Sequence, residues 1–182
     1  MAESIIAALR QDHDEVRQML SKLELSTGEE REELFHDLVA ELVRHEVAEE
    51  EILRPVSRRD AGEAIAEARI KEESEAEELL KEMEKLETSS AEFSQKLAKL
   101  ATEVERHATA EETEEFPKVE RAESAERLEQ LAKLYEAAKA MAPTRPHPST
   151  PNTATANMLV GPFAAVMDRA RDAMREALKT GS

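Results

Sequence analysis

Apolar residues recur through the first 140 or so positions in steps of three and four, the spacing that lines one face of an α-helix. Ile5, Leu9, Val16, Leu20 and Leu23 mark a first seam, and Leu34, Leu38, Leu42 and Ile52 a second. Ala66, Ile70, Ala76, Leu80 and Met83 mark a third, and Phe93, Leu97, Leu100 and Val104 a fourth. Cap and turn residues fall between the seams. Ser4 suits the N-cap of a helix reaching about residue 24, and Ser26-Thr27-Gly28 reads as a turn. A second helix is predicted over 29–53, stopped by Pro55, and a third, capped by Asp60, to about 87. A fourth starts at Ser89-Ser90 and ends before Pro117, and a shorter fifth runs from Ser124 to 141. The expected fold class is all-α: an up-down-up-down four-helix bundle with an additional short helix.

The pattern breaks over 143–157, where PTRPHPSTPNTATAN holds four prolines and no helical period, so an extended arm is expected. Helical spacing returns over 163–179, with Pro162 suited to the first turn. There Phe163, Val166, Met167, Ala170, Met174, Ala177 and Leu178 form a stripe expected to dock on the bundle or on a partner. The organisation expected is thus a bundle with its fifth helix over 1–142, a Pro-rich arm over 143–157, and a C-terminal amphipathic helix within 158–182.

Composition narrows the partners. Forty-one acidic residues against 25 basic leave a net charge of −16, which repels phosphate backbones and anionic lipid. Nucleic acid and membrane surfaces are therefore not expected as partners. The chain has no cysteine, which removes disulfides, thiolate metal sites and thiol catalysis, and makes a reducing compartment the default. No signal peptide is read at the N-terminus, and the nearly apolar run 158–167 is about half a membrane span, so the expected location is cytoplasmic. With four Phe, one Tyr and no Trp, the core must be chiefly aliphatic.

The seams also carry polar residues, and these point to chemistry. His13 falls on the first, His45 and Glu49 on the second, Glu73 on the third, and His107 and Glu111 on the fourth. Three seam carboxylates have no Lys or Arg on the same seams, and a buried carboxylate without a partner costs several kcal/mol. A divalent or trivalent metal is the simplest compensating charge. An internal repeat sharpens this. HEVAEEEILRP (45–55) and HATAEETEEFP (107–117) align without gaps, sharing His, a Glu-Glu pair beginning four residues later, and a closing Pro. The i, i+4 spacing puts imidazole and carboxylate on one helix face, one turn apart. Upstream, HDEVRQML (13–20) aligns with ESEAEELL (73–80), so Glu73 stands where the first half has His13. A duplicated hairpin implies two metal sites sharing the central carboxylates.

These paired segments closing on Pro resemble the hemerythrin-like, or HHE cation-binding, family over residues 4–141. The resemblance implies a non-haem di-iron centre, two iron ions bridged by two carboxylates and by an oxo or hydroxo group. It implies bridging roles for Glu49 and Glu111, and terminal imidazole ligation by His13, His45 and His107. Oxygen-carrying hemerythrins have five histidines, two of them in an H-x3-H pair on the third helix; here that turn reads Glu73-x3-Glu77. Glu46 and Glu77 are weaker ligand candidates, read as solvated helix-surface carboxylates. An oxo-bridged diferric core carries +4 against −3 from Glu49, Glu73 and Glu111, leaving the site near neutral. The mixed N/O set also suits manganese, so the residues leave that metal open.

An oxygen-rich ligand set favours the oxidised metal pair. Reversible oxygen carriage is then less expected than a response to oxygen, peroxide or nitric oxide, with enzymatic turnover left open. The alternative is an iron- or redox-sensing module without turnover, and a metal-free interaction protein is a third reading. His36 is expected to be exposed, His147 to lie free in the arm, and Tyr135 to serve packing. The Glu runs at 72–78 and 111–115 read as solvated apart from the named ligands.

Overall fold

The computed structural model describes residues 4–141 together with Asp168, Arg171 and Asp172. The expected arm, His147, and the expected C-terminal helix apart from those three residues lie outside the described residues.

Ser4 opens α1 (Ile5–Leu25), its hydroxyl accepting the Ala7 N–H at 3.2 Å as an N-cap should. Ser26 and Thr27 turn the chain into α2 (Gly28–Ala48). Gly28 has φ +62°, a backbone conformation that a side chain would strain. A π-helical turn (Glu49–Leu53) joins α2 to α3 (Arg54–Asp60), and α4 (Glu63–Met83) follows. Ser90 caps α5 (Ala91–Ala110), accepting from the Phe93 N–H. A second π turn (Glu111–Glu115) leads into α6 (Phe116–Ala122), and α7 (Ala125–Met141) begins after Ser124, whose hydroxyl accepts from the Arg127 N–H. The described residues form no strand, so the all-α expectation stands.

The structure corrects the two helix ends assigned to proline. Pro55 and Pro117 lie in the first turns of α3 and α6, and the chain stays helical through both. In an uninterrupted α-helix, proline lacks the donor for the carbonyl four residues back and its ring collides with that carbonyl. Here the Arg54 N–H bonds the Glu49 carbonyl and the Phe116 N–H bonds the Glu111 carbonyl, each five residues back. The widened turn restarts the hydrogen-bond ladder just where a proline needs no donor. Asp60 also does not cap the next helix. It ends α3, and Gly62, at φ +106°, precedes α4, which stops at Met83 rather than near 87.

Helix α1 packs against α2, α5 and α7; α4 packs against α5 and α3; and α3 meets α6. The long helices joined by short links bury the predicted seams, with Leu9, Leu38, Leu80, Leu97 and Leu100 all buried. Leu34 and Val104 are only partly buried, and Ile70 on the third seam is 37% exposed. At the end of the bundle where α2 and α5 begin, Phe93 meets Phe35 edge-on, ring centroids 4.9 Å apart. Phe93→Ala should lower unfolding stability by about 3–5 kcal/mol. Phe93 lies about 21 Å along α5 from His107 at 1.5 Å per residue, so metal binding should be unchanged in the folded variant. Denaturant unfolding together with metal titration checks both parts.

Candidate metal centre

Each long helix delivers its polar seam residue to the same level of the bundle. His13 comes from α1, His45 from the last turn of α2, Glu73 from α4 and His107 from the last turn of α5. Glu49 and Glu111 are the first residues of the two π turns, a backbone form often found at functional sites. Ligand atoms of His13, His45, Glu49 and Glu111 lie within 4.8 Å of one another, and all four residues are buried. Glu49, Glu73, His107 and Glu111 form a second such group at the same spacing. The six residues singled out from the seams are thus brought together, in two groups that share Glu49 and Glu111.

The two shared carboxylates divide their oxygens between the groups. Glu111 Oε2 lies 3.2 Å from His13 Nε2, while its Oε1 lies 3.4 Å from His107 Nε2. Glu49 Oε1 lies 3.6 Å from His45 Nε2, while its Oε2 faces Arg54 at 3.5 Å on the side of the second group. His13 Nε2, both oxygens of Glu49 and Oε2 of Glu111 are buried without a hydrogen-bond partner. Buried polar atoms are almost always satisfied, so four orphans converging on one place are suited to a ligand that accepts lone pairs. A metal cation meets that requirement, and imidazole with carboxylate is a donor set for iron, manganese or zinc.

Each of the three histidines in these groups is held from behind through Nδ1. His13 Nδ1 lies 2.8 Å from Glu112 Oε1, and His107 Nδ1 lies 3.2 Å from Glu72 Oε2. His45 Nδ1 lies 2.8 Å from the Tyr135 hydroxyl, which donates to Asp12 Oδ2 at 2.5 Å. Such contacts favour the tautomer protonated at Nδ1 and leave Nε2 free to ligate. Asp12 is buried, and its other oxygen pairs with Lys139 at 2.6 Å. Burial would raise Asp12, but His45, Lys139 and Tyr135 hold it well below the usual carboxylate range. None of Asp12, Glu72 or Glu112 was singled out as a supporting residue in the sequence. Tyr135 is fully buried, as packing required, and its hydroxyl also joins α7 to the site.

The expectation that no cation faces the seam carboxylates is overturned. Arg54, at the start of α3, is buried with its guanidinium among all three of them and Glu115. Its Nη2 reaches Glu73 Oε1 at 2.5 Å, Glu111 Oε1 at 3.3 Å and Glu49 Oε2 at 3.5 Å, and its Nη1 reaches Glu115 Oε1 at 3.0 Å. Glu115 is also fully buried, so the 111–115 run is less solvated than its composition suggested. Burial raises Glu49 well above its ordinary value, with Glu111 as a like charge beside it. For Glu111 burial acts in the same direction, but His107, His13 and Arg54 override it and hold its carboxyl far below normal. Two carboxylates this close do not both ionise readily, and the charged form is disfavoured at Glu49 and favoured at Glu111. Burial alone would lower His107, yet Glu111, Glu72, Glu49 and Glu73 push it up to about 9.

The sequence profile of the Hemerythrin HHE cation binding domain matches residues 4–119. The chain belongs to this family. An uncharacterized hemerythrin-like protein of Schizosaccharomyces pombe is 28% identical over 144 residues, covering 78% of this chain and 71% of the yeast protein. A Nostoc protein named as a DNA nickase is 31% identical over 133 residues, 72% of this chain but only 38% of that protein. A crystal structure of a hemerythrin HHE cation binding domain-containing protein from Mycobacterium kansasii aligns with TM-score 0.69. It is 21% identical, with 75% of this chain and 85% of that one covered, and it shares the fold.

Within this HHE domain the two weaker ligand candidates join neither group of ligand atoms. Glu46 is buried rather than solvated; burial, with Glu73 and Glu77 nearby, raises its carboxyl well above normal. Glu77 pairs with Arg171 at 2.9 Å and Lys81 at 3.5 Å. His36 is exposed as expected. A cavity of about 30 Å³ borders His13, His45, Glu73 and His107, and Val16 and Leu42 line it among other apolar groups. Since one water needs about 10–15 Å³ on that measure, it holds only a few heavy atoms. No described helix is long and apolar enough to cross a membrane.

Proposed function

We propose that this HHE domain holds two metal ions, iron foremost, side by side between Glu49 and Glu111, and responds through them to oxygen, peroxide or nitric oxide. The observation that carries the reading is the division of carboxylate oxygens between two groups of ligand atoms that share those residues. His13 and His45 would hold one ion, and His107 and Glu73 the other, with Glu49 and Glu111 common to both. When bound, such a pair supplies one-electron chemistry toward small oxidants and the capacity to bind them. The chain's own residues do the rest. Glu112, Tyr135 with Asp12, and Glu72 orient the imidazoles, and the cavity beside them admits only small molecules. Manganese meets the same donor set, so the choice of iron rests on the family.

Reconstitution with ferrous iron followed by air should give about two irons per chain and a near-ultraviolet charge-transfer band that shifts on adding azide or peroxide. A protein that takes up no metal contradicts the proposal. The nicking activity named for the Nostoc protein is not carried over, since a net charge of −16 repels a DNA backbone. The absence of cysteine keeps a reducing, cytoplasmic setting as part of the reading.

A sensing module without turnover is the second reading, and one contact favours it. Arg171 donates to Glu50 at 2.7 Å and to Glu77 at 2.9 Å, tying a C-terminal residue to the helix turns that carry Glu49 and Glu73. Metal loading would then be reported through that contact. Limited proteolysis within 143–157 should differ between the metal-free and loaded protein, and identical cleavage would count against sensing.

A further inference from the structure

The internal repeat matches in its His, its Glu-Glu pair and its Pro, but not in the last residue of each π turn or the residue that follows it. Aligned on His45 and His107, Arg54 stands opposite Phe116, and Leu53 opposite Glu115. The difference is paired with another across the site. Phe116 stacks on His13, ring centroids 5.8 Å apart and planes 14° apart, whereas Arg54 lies against Glu73, the residue aligned with His13. One half of the site therefore joins an imidazole to an aromatic ring, and the other joins a carboxylate to a guanidinium. Arg54 Nη2 lies within 3.5 Å of one oxygen each of Glu49, Glu73 and Glu111, the three acidic members of the second group. No guanidinium approaches the ligand atoms of His13 and His45 among the described contacts.

We infer that Arg54 and a metal ion compete for the second group, so that the HHE domain loads its two positions in order and unequally. The inference rests on the two-metal reading above. A lone pair engaged with Nη2 is a poorer metal donor, and a cation entering beside an unmoved guanidinium meets a like charge. The first position shares Glu49 and Glu111 with the second, but Arg54 engages only the oxygen of each that lies away from His13 and His45. This position therefore meets the weaker competition and fills first. Filling the second requires Nη2 to withdraw. The structure provides for that movement: Nη1 is already anchored on Glu115, which belongs to neither group of ligand atoms. A cavity of about 530 Å³ beside Arg54, lined also by Glu50, Glu73, Glu77 and Arg171, gives the side chain room to move. Arg54 thus sets how readily the domain changes between one metal ion and two.

The test is an anaerobic titration of the metal-free full-length protein with ferrous iron, followed by calorimetry, with native mass spectrometry counting ions per chain. Wild type should bind in two steps, the second at least tenfold weaker than the first. Arg54→Met should tighten the second step at least tenfold and leave the first within about threefold. Removing Arg54 alone strands the buried Glu115, so the paired variant Arg54→Met with Glu115→Gln, checked by thermal melting, must give the same result. Two equal steps in wild type, or a second step unchanged or weakened in the variants, overturn the role of Arg54 while leaving the two-metal reading intact. Wild type that binds no iron overturns both.

Discussion

Replacing Glu49 by methionine should move the stability of the metal-free and metal-loaded protein in opposite directions. Glu49 is fully buried, both its oxygens lack hydrogen-bond partners, and burial with a neighbouring carboxylate disfavours its charged form. An apolar side chain of similar volume removes that unsatisfied group, so the metal-free variant should gain about 1–3 kcal/mol. The loaded variant should lose the metal-linked increment, about 2.7 kcal/mol where free metal stands at a hundred times Kd. Glu111→Met should behave differently although the two residues are equivalent in the repeat. The Glu111 carboxylate is favoured in its charged form by His107, His13 and Arg54, and removing it takes one partner from two buried cations that keep Glu72, Glu73 and Glu115. The metal-free form should then lose about 1.5–3 kcal/mol, the worth of a charge-assisted contact. Denaturant melts with and without metal measure all of these changes. Equal losses in both Glu49→Met forms would mean that Glu49 serves the fold and not a metal.

The second large effect concerns the support behind His45. Asp12→Asn should weaken metal binding by about 10–100-fold, the usual range when a hydrogen-bonding partner of a ligating histidine is lost. Tyr135→Phe should fall in the same range, because its hydroxyl links His45 Nδ1 to Asp12. Asp12 also gives the stability a pH signature. Its folded carboxyl loses its proton more readily than the unfolded one, so its contribution is complete above the unfolded value of about 3.9 and is lost as pH falls toward the folded value. The stability difference between metal-free wild type and Asp12→Asn should therefore stay level from about pH 8 to 5 and shrink only in stronger acid. A difference that collapses between pH 7 and 5 would show that Asp12 is not held as an ion by His45, Lys139 and Tyr135.

The polar seam residues were legible because they obey the same three-and-four spacing as the leucines around them. His13, His45, Glu49, Glu73, His107 and Glu111 needed only helical periodicity to be placed on one face, and they meet. Arg54 follows a different geometry. In a continuous α-helix a residue five positions after Glu49 points well away from it, and Pro55 marked the expected end of the helix. The π turn closes its hydrogen bond five residues back instead of four, which brings the Arg54 guanidinium to Glu49 and sets Phe116 against His13. No local pattern announces that extra residue, although the coincidence of Glu-Glu and Pro in both repeats marks where it occurs. Asp12 escaped for a simpler reason. It precedes a seam histidine by one position and so faces α7, a helix read as an addition to the bundle rather than a wall of the site.

The most direct test of the central claim is an anomalous-diffraction map from crystals of the iron-loaded protein, collected at the iron edge. Two peaks within about 4 Å of each other, each touching one oxygen of Glu49 and one of Glu111, are the predicted result. The peak beside His13 and His45 should be at least as strong as the one beside His107 and Glu73. No peak between Glu49 and Glu111, or iron bound only at surface carboxylates, would contradict the account.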